Sequence, residues 1–348
     1  MKTKSTSSIT LAIFLLQVWS VASAGYFYKG LALTSIDVIK TGEKSEGGNP
    51  LVHFDGTIEG RADDKDATFL KNIKEVKDAT GKKVLEAEKL TVAQAKAIIN
   101  QASSDGKGKP LFCIHGFNVQ PRTHLKTIKE ATLDKFNKGK FMPIPVMWPS
   151  EGGTTNYWGD RETTPGAGNG LKILKQALDS FPSKSLLAHS MGNRVLRYAA
   201  DAKFKFDNIF MVAADVQHNI FNKDYINSGK TTDEDRRELQ GMKICSMLTS
   251  TNGKPKGKVY VLVNGADFAL NASGWNPTTF TPRLGAIGAH YRRNWALFWT
   301  EDKKVTHPDI VDCIENVGCN SKLNLWEKTA HSYQFYPQIV QSYQEKHF

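Results

Sequence analysis

Cysteine is scarce in this chain: Cys113, Cys245, Cys313 and Cys319 are the only four in 348 residues. No two form a C-x-x-C pair, and none has the spacing that gathers thiolates around zinc. A zinc-built fold and a disulfide-dense miniature scaffold are therefore excluded. Long apolar runs are equally scarce. The one near the N-terminus, "ITLAIFLLQVW", is shorter than the roughly twenty residues a membrane-spanning helix needs, and no later segment is long and apolar enough. Aromatic residues do not interleave with the basic runs, so a nucleic-acid module is set aside. Repeats, low-complexity tracts and convincing linkers are also missing.

What stands at the N-terminus is a pattern of its own. Lys2 and Lys4 precede the apolar run, and "ASA" precedes Gly25, the form of a secretory signal peptide over residues 1–24. The expectation is an exported, soluble mature chain starting at Gly25. An exported chain permits disulfides, and Cys313 with Cys319, enclosing "IENVG", is a candidate staple for a short loop. Cys113, inside "PLFCIH", reads as a buried thiol. The formal charge of +11 falls to +9 without the two N-terminal lysines. The basic runs are mixed with acids, so the first reading is a solvated surface and the second is electrostatic association with an anionic wall, polymer or membrane.

Residues 25–90 are polar, with strands expected at "YKGLALTSIDVIK" and "LVHFDGTI" and no chemical motif; they read as an N-terminal extension of a sheet. From residue 91 to 348 the pattern is regular. "TVAQAKAIINQAS" is a helix opened by a capping box, Thr91 with Gln94. "KPLFCIHGFN", "MPIPVMWPS", "KSLLAHS", "FDNIFMVAADV" and "GKVYVLVNGADFAL" are strands. Helices are expected between them at 123–137, in "GNGLKILKQALDSF", after Ser190, and around "DEDRRELQGMKICSML". Strands alternating with helices predict an α/β fold with a mostly parallel sheet and helices on both faces. Ligands bind such sheets at the carboxyl ends of the strands, where this sequence puts His115, Gly116, Trp148, Ser190, Asp215 and Asp267.

Ser190 sits in "AHSMG", one step from the G-x-S-x-G of a nucleophile elbow. A strand turning sharply into a helix crowds the positions two before and two after the serine; Ala188 and Gly192 are both small. The plainer alternative is a helix-capping serine. Acyl transfer by serine also needs a base and an acid that orients it. The order serine, acid, histidine is met by Ser190, then Asp215 or Asp267, then His331 in "KTAHSYQFYP". His115, His189, His290 and His307 compete for the base, with His115 and His189 better placed to orient loops. Such chemistry requires no metal or cofactor, and no ligand cluster for either is visible. The loop "EGGTTNYWGDRE" after Trp148 is a candidate pocket lining, with Trp148, Tyr157 and Trp158 as walls; surface packing explains it equally well.

The blocks "FCIHGFN", "MWPSEGG", "LLAHSMGNRVL", "VAADV", "VYVLVNGADFAL" with "PRLG", and "HSY" resemble, in this order, an α/β-hydrolase family found mostly in bacteria and long uncharacterised. The resemblance covers roughly residues 108–340 and does not reach 25–90. It implies Ser190 as nucleophile, His331 as general base and Asp267 as acid, with the backbone amides of Phe117 and Met191 as the oxyanion hole. The expected activity is that of a secreted serine hydrolase cleaving a carboxylic ester or related acyl bond of a small-molecule or lipid-like substrate. The alternatives are an acyltransferase or thioesterase with the same triad, and a non-enzymatic secreted binding protein on a hydrolase scaffold. The polar insertion after Asp215 favours soluble or modestly apolar esters over an interface.

Overall fold

A computed structural model of the chain describes residues 31–36, 38–55, 67–106, 108–134, 141–150, 157–172, 181, 183–200, 205–221, 241–251, 254–273, 283–287, 314–319, 322–324, 331–333, 336 and 338–339. The signal-peptide reading, the stretch 151–156, residues 222–239 of the polar insertion that starts at Gln217, His290 and His307 lie outside these residues.

The chain enters the sheet through β1 (Ala32–Thr34) and continues through β2 (Ile39–Lys44), β3 (Pro50–Phe54), β4 (Thr68–Lys77) and β5 (Lys83–Leu90). The turn between β4 and β5 is set by Asp78, whose carboxylate accepts the backbone N–H of Thr80 and of Lys82 at 2.9 and 3.0 Å. Gly81 there takes φ +83°, a conformation that costs other residues dearly. α1 (Val92–Ser104) opens with the Thr91/Gln94 capping box.

β6 (Lys109–Ile114), α2 (Pro121–Asp134), β7 (Phe141–Met147), α3 (Tyr157–Lys172), β8 (Ser185–His189), α4 (Gly192–Ala199) and β9 (Asn208–Val212) follow. After α5 (Gly241–Ser246) and a small hairpin, β10 (Ser250–Thr251) with β11 (Lys254–Pro255), come β12 (Val259–Val263), α6 (Phe268–Ser273), α7 (Leu284–Ile287) and β13 (Ile314–Gly318).

The eleven-stranded sheet has the order β13-β12-β9-β8-β6-β7-β1-β4-β5-β3-β2. Every pair from β13 to β1 is parallel, and every pair from β1 to β2 is antiparallel. Apart from Lys109 at the start of β6, the central strands are buried along their length, so they read in the sequence as continuous apolar runs rather than as alternation. Alternate residues still separate two cores. Phe112, Ile114, Leu186, Ala188, Ile209 and Met211 pack with Ile99 of α1, Ala167 of α3 and Val195 of α4. Leu111, Cys113, Leu187, Phe210 and Leu262 pack with Ile128 of α2, Leu270 of α6 and Ala286 of α7. Each such large side chain, fully buried, contributes roughly 1.5–3 kcal/mol.

Three expectations change. α3 begins at Tyr157, in what the sequence suggests is a loop, and runs through Pro165. Its poor helix formers are tolerated because a Cβ at Gly168 would collide with Tyr198 and with the backbone of Val195; the glycine lets α3 and α4 pack at close range. β4 and β5 arise in a stretch without an apolar run, as a long charged hairpin. "IENVG" is a strand, β13, paired in parallel with β12, and Cys319 is a free, buried thiol, so the Cys313–Cys319 staple is not formed. Five strand residues span about 16 Å, far beyond the Cα separation a disulfide accepts. Cys245 is disulfide-bonded, and Cys113 is a free, buried thiol whose pKa burial pushes upward.

Candidate active site

β8 ends at His189, and the chain reverses within two residues into α4. Ser190 takes φ +52°, a left-handed conformation costing an L-residue roughly 1–2 kcal/mol. The surroundings hold it there. Ser190 N–H donates to Val212 C=O at 2.9 Å, and Ser190 C=O accepts from the backbone N–H of Asn193 and of Asp215 at 3.1 and 3.2 Å. The Asn193 side-chain amide donates to Ala188 C=O at 2.9 Å and to Ser190 C=O at 3.0 Å, tying the strand to the turn. A Cβ at Gly192 would run into His115 C=O, and one at Gly116 would lie 2.7 Å from Ser190 Cβ. Ser190 is not a cap: the N-cap position is Met191, without a side-chain cap bond.

Ser190 Oγ lies 2.7 Å from His331 Nε2. On the other edge of the ring, His331 Nδ1 lies 2.8 Å from Asp267 Oδ2 and 3.0 Å from Oδ1. A carboxylate only accepts, so Nδ1 carries the proton, and Nε2 is left to accept from the serine hydroxyl. Asp267 is fully buried at the start of α6, where Oδ1 also accepts Leu270 N–H at 3.1 Å. His331 keeps 26 % of its side chain exposed, which leaves the imidazole accessible.

The second strand-end acid is engaged elsewhere. Asp215 Oδ2 accepts the Tyr157 hydroxyl at 2.6 Å, and Oδ1 accepts the Ser273 hydroxyl at 2.9 Å. Arg283 Nε lies 3.1 Å from Oδ1 and Arg194 Nε 3.9 Å from Oδ2. Burial works against its charge, but the Arg283 and Arg194 guanidiniums and the two hydroxyls outweigh it and lower its pKa. The same burial and carboxylate push Tyr157 up to about 12. Asp267, not Asp215, is the acid in contact with a histidine.

Three further histidines support this end of the sheet. His189 Nε2–H donates to His331 C=O at 3.0 Å, fixing the segment that carries the imidazole. Trp148 N–H donates to His115 Nε2 at 3.2 Å, so His115 Nδ1–H donates to Gly116 C=O at 2.9 Å. His124 Nε2–H donates to Cys113 C=O at 2.9 Å. Burial depresses all three, His115 to about 4 and His189 to about 3, so they are neutral near pH 7.

Trp148 has no exposed surface; it stacks on His115 at 5.1 Å and donates its indole N–H to His115 C=O at 2.8 Å, so it is buried against His115 instead of walling a pocket. Tyr157 meets Phe117 edge-on at 5.4 Å. Trp158 is 62 % exposed, with Arg161 over its ring. A cavity of about 260 Å³ lined by Ile99, Ser103, Pro110 and Phe181 opens at the amino ends of β6 and β8, opposite Ser190. His189 thus has the loop-orienting role its place beside the serine suggests, whereas Asn193 is legible only as an asparagine opening a helix three residues after a candidate nucleophile.

Residues 91–320 match a family described as an alpha/beta hydrolase of unknown function (DUF900). The chain belongs to it. The span of the hydrolase match includes Ser190, Asp215 and Asp267 and ends before His331. Membership assigns this hydrolase to the α/β class and gives it a hydrolase-like function. No curated protein and no solved structure matches the chain.

Proposed function

We propose that this hydrolase is an exported serine esterase that cleaves a carboxylic ester or related acyl bond through an acyl-Ser190 intermediate. The observation that carries the reading is the continuous line of hydrogen-bond contacts from Ser190 Oγ through both nitrogens of His331 to the buried Asp267. Export rests on the composition of residues 1–24.

In the first step His331 Nε2 takes the serine proton as Oγ attacks the acyl carbon, and Asp267 stabilises the imidazolium. The same nitrogen returns the proton to the leaving alcohol. Water then repeats the sequence against the acyl-enzyme. The developing oxyanion calls for preorganised donors, and the reading assigns Phe117 N–H and Met191 N–H. Two features support them. In a planar trans peptide the C=O and N–H point in opposite directions. The carbonyl of the Ser190–Met191 peptide is held from behind by Asn193 and Asp215, and that of Gly116–Phe117 by His115.

The test is hydrolysis of chromogenic esters of increasing acyl length by the mature protein beside Ser190→Ala. Turnover is expected in the first and absent in the second, with an added alcohol reporting any share of acyl transfer. A folded wild-type protein that turns over none of the series contradicts the reading.

A further inference from the structure

The segment that carries His331 also carries Tyr333, whose ring is fully buried. Its hydroxyl accepts Ala213 N–H at 3.2 Å and donates to Leu262 C=O at 3.2 Å, so both of its hydrogen-bonding capacities are used. The location has a structural cause. β9 and β12 pair as far as Val212 with Leu262 and then part. Beyond that point Gly285 enters between them, its N–H donating to Ala214 C=O and its C=O accepting Asn264 N–H, at 3.0 and 2.9 Å. Ala213, at φ +44°, gives its N–H to the tyrosine hydroxyl. The tyrosine hydroxyl occupies the place where the next rung would join Ala213 to Leu262.

Both strands lead to the site. Val212, next to Ala213, accepts the Ser190 amide, and β12 runs on to Asp267. One hydroxyl therefore ties the base-bearing segment to the supports of both nucleophile and acid. At the segment's other end His189 holds the His331 carbonyl.

We propose that Tyr333 is a positioning residue for the general base: its hydroxyl, set into the split between β9 and β12, fixes the register of His331 between Ser190 and Asp267. This rests on the reading of His331 as base. A tyrosine two residues after the histidine is then a functional part of "HSY", and a phenylalanine there is not equivalent.

The experiment compares wild type, Y333F, S332A, H331A and the double variant H331A/Y333F, each per folded molecule, by ester turnover and by the rate of fluorophosphonate labelling. Misplacement of a catalytic group by about an ångström costs up to a hundredfold. Y333F is expected to lose about ten- to a hundredfold in kcat, with KM within about twofold, and its labelling rate should fall in parallel. S332A, altered at an exposed side chain, should behave as wild type. In the H331A background the Tyr333 change should have no further effect on labelling, since its action runs through the histidine. Equal kcat in Y333F and wild type, or the same fold-loss with and without His331, overturns the proposal. A folded wild type that neither labels nor turns over overturns the hydrolase reading itself, whereas a wild type that labels no faster than Y333F overturns this inference alone.

Discussion

The strand ends after β9 and β12 each present an aspartate in the same buried layer, and the two have opposite surroundings. Asp215 is closed off by two hydroxyls and two guanidiniums. Asp267 keeps an edge for the His331 ring and gives the rest of its capacity to a helix start. Burial alone therefore says nothing about which acid serves chemistry. Partners decide: a carboxylate saturated by fixed cations is a structural node, while one facing a partly exposed imidazole can stabilise charge that appears only during reaction.

The sharpest way to break this contrast is to neutralise each acid. Asp267→Asn should cost about 10³–10⁴-fold in kcat, read by ester turnover, with little loss of stability. Asp215→Asn should do the reverse. It leaves Arg283 and Arg194 facing an amide, and breaking a buried ion pair from one side costs about 3–5 kcal/mol. The denaturant midpoint should drop sharply, while the molecules that remain folded still label at Ser190. A large kcat loss in folded Asp215→Asn would remove the distinction.

Acid separates the end of the sheet that carries Ser190 from the antiparallel half. His115 and His189 titrate at about 4 and 3 when folded, against an ordinary 6.5, so below pH 6.5 the unfolded chain takes up protons first and stability declines. Glu88, between β4 and β3, is held at about 2 by Asn49, Asn72, Ser45 and Lys71 despite its burial. Its contribution is full above the ordinary 4.5 and is lost only as pH falls from there toward 2. Stability should thus begin to fall near pH 6.5 and lose a few kcal/mol by pH 4, with a further loss below. Urea midpoints against pH measure this, and a flat profile between pH 6.5 and 5 would contradict it. The smallest effect is expected far from both aspartates. Thr91→Ala removes the α1 cap and should cost about 1 kcal/mol without changing kcat.

The legibility of the sequence followed the same division. Buried parallel strands produce apolar runs ending in chemistry, and the small residues around Ser190 record a steric demand that the Gly192 and Gly116 approaches make concrete. The order Ser190, acid, His331 was readable too, but two acids fitted it, because the partners of Asp215 come from Tyr157, Ser273, Arg283 and Arg194, far apart in the chain. α3 was hidden by Pro165 and its glycines, which close packing on α4 overrides. β13 was hidden because its pairing partner among the described residues, β12, is distant in sequence. Trp148 looked like a pocket wall because its aromatic bulk is visible in sequence and its stacking on His115 is not. Tyr333 stands in "HSY" without a legible role, since a hydroxyl bridging two diverging strands has no local signature.

The central claim is that Ser190 is activated by His331 and Asp267, and fluorophosphonate labelling with intact-mass and peptide mapping tests it most directly. A single adduct on Ser190, absent in Ser190→Ala and strongly slowed in Asp267→Asn, is the predicted result. A folded protein that takes no adduct, or takes one elsewhere than Ser190, would contradict it.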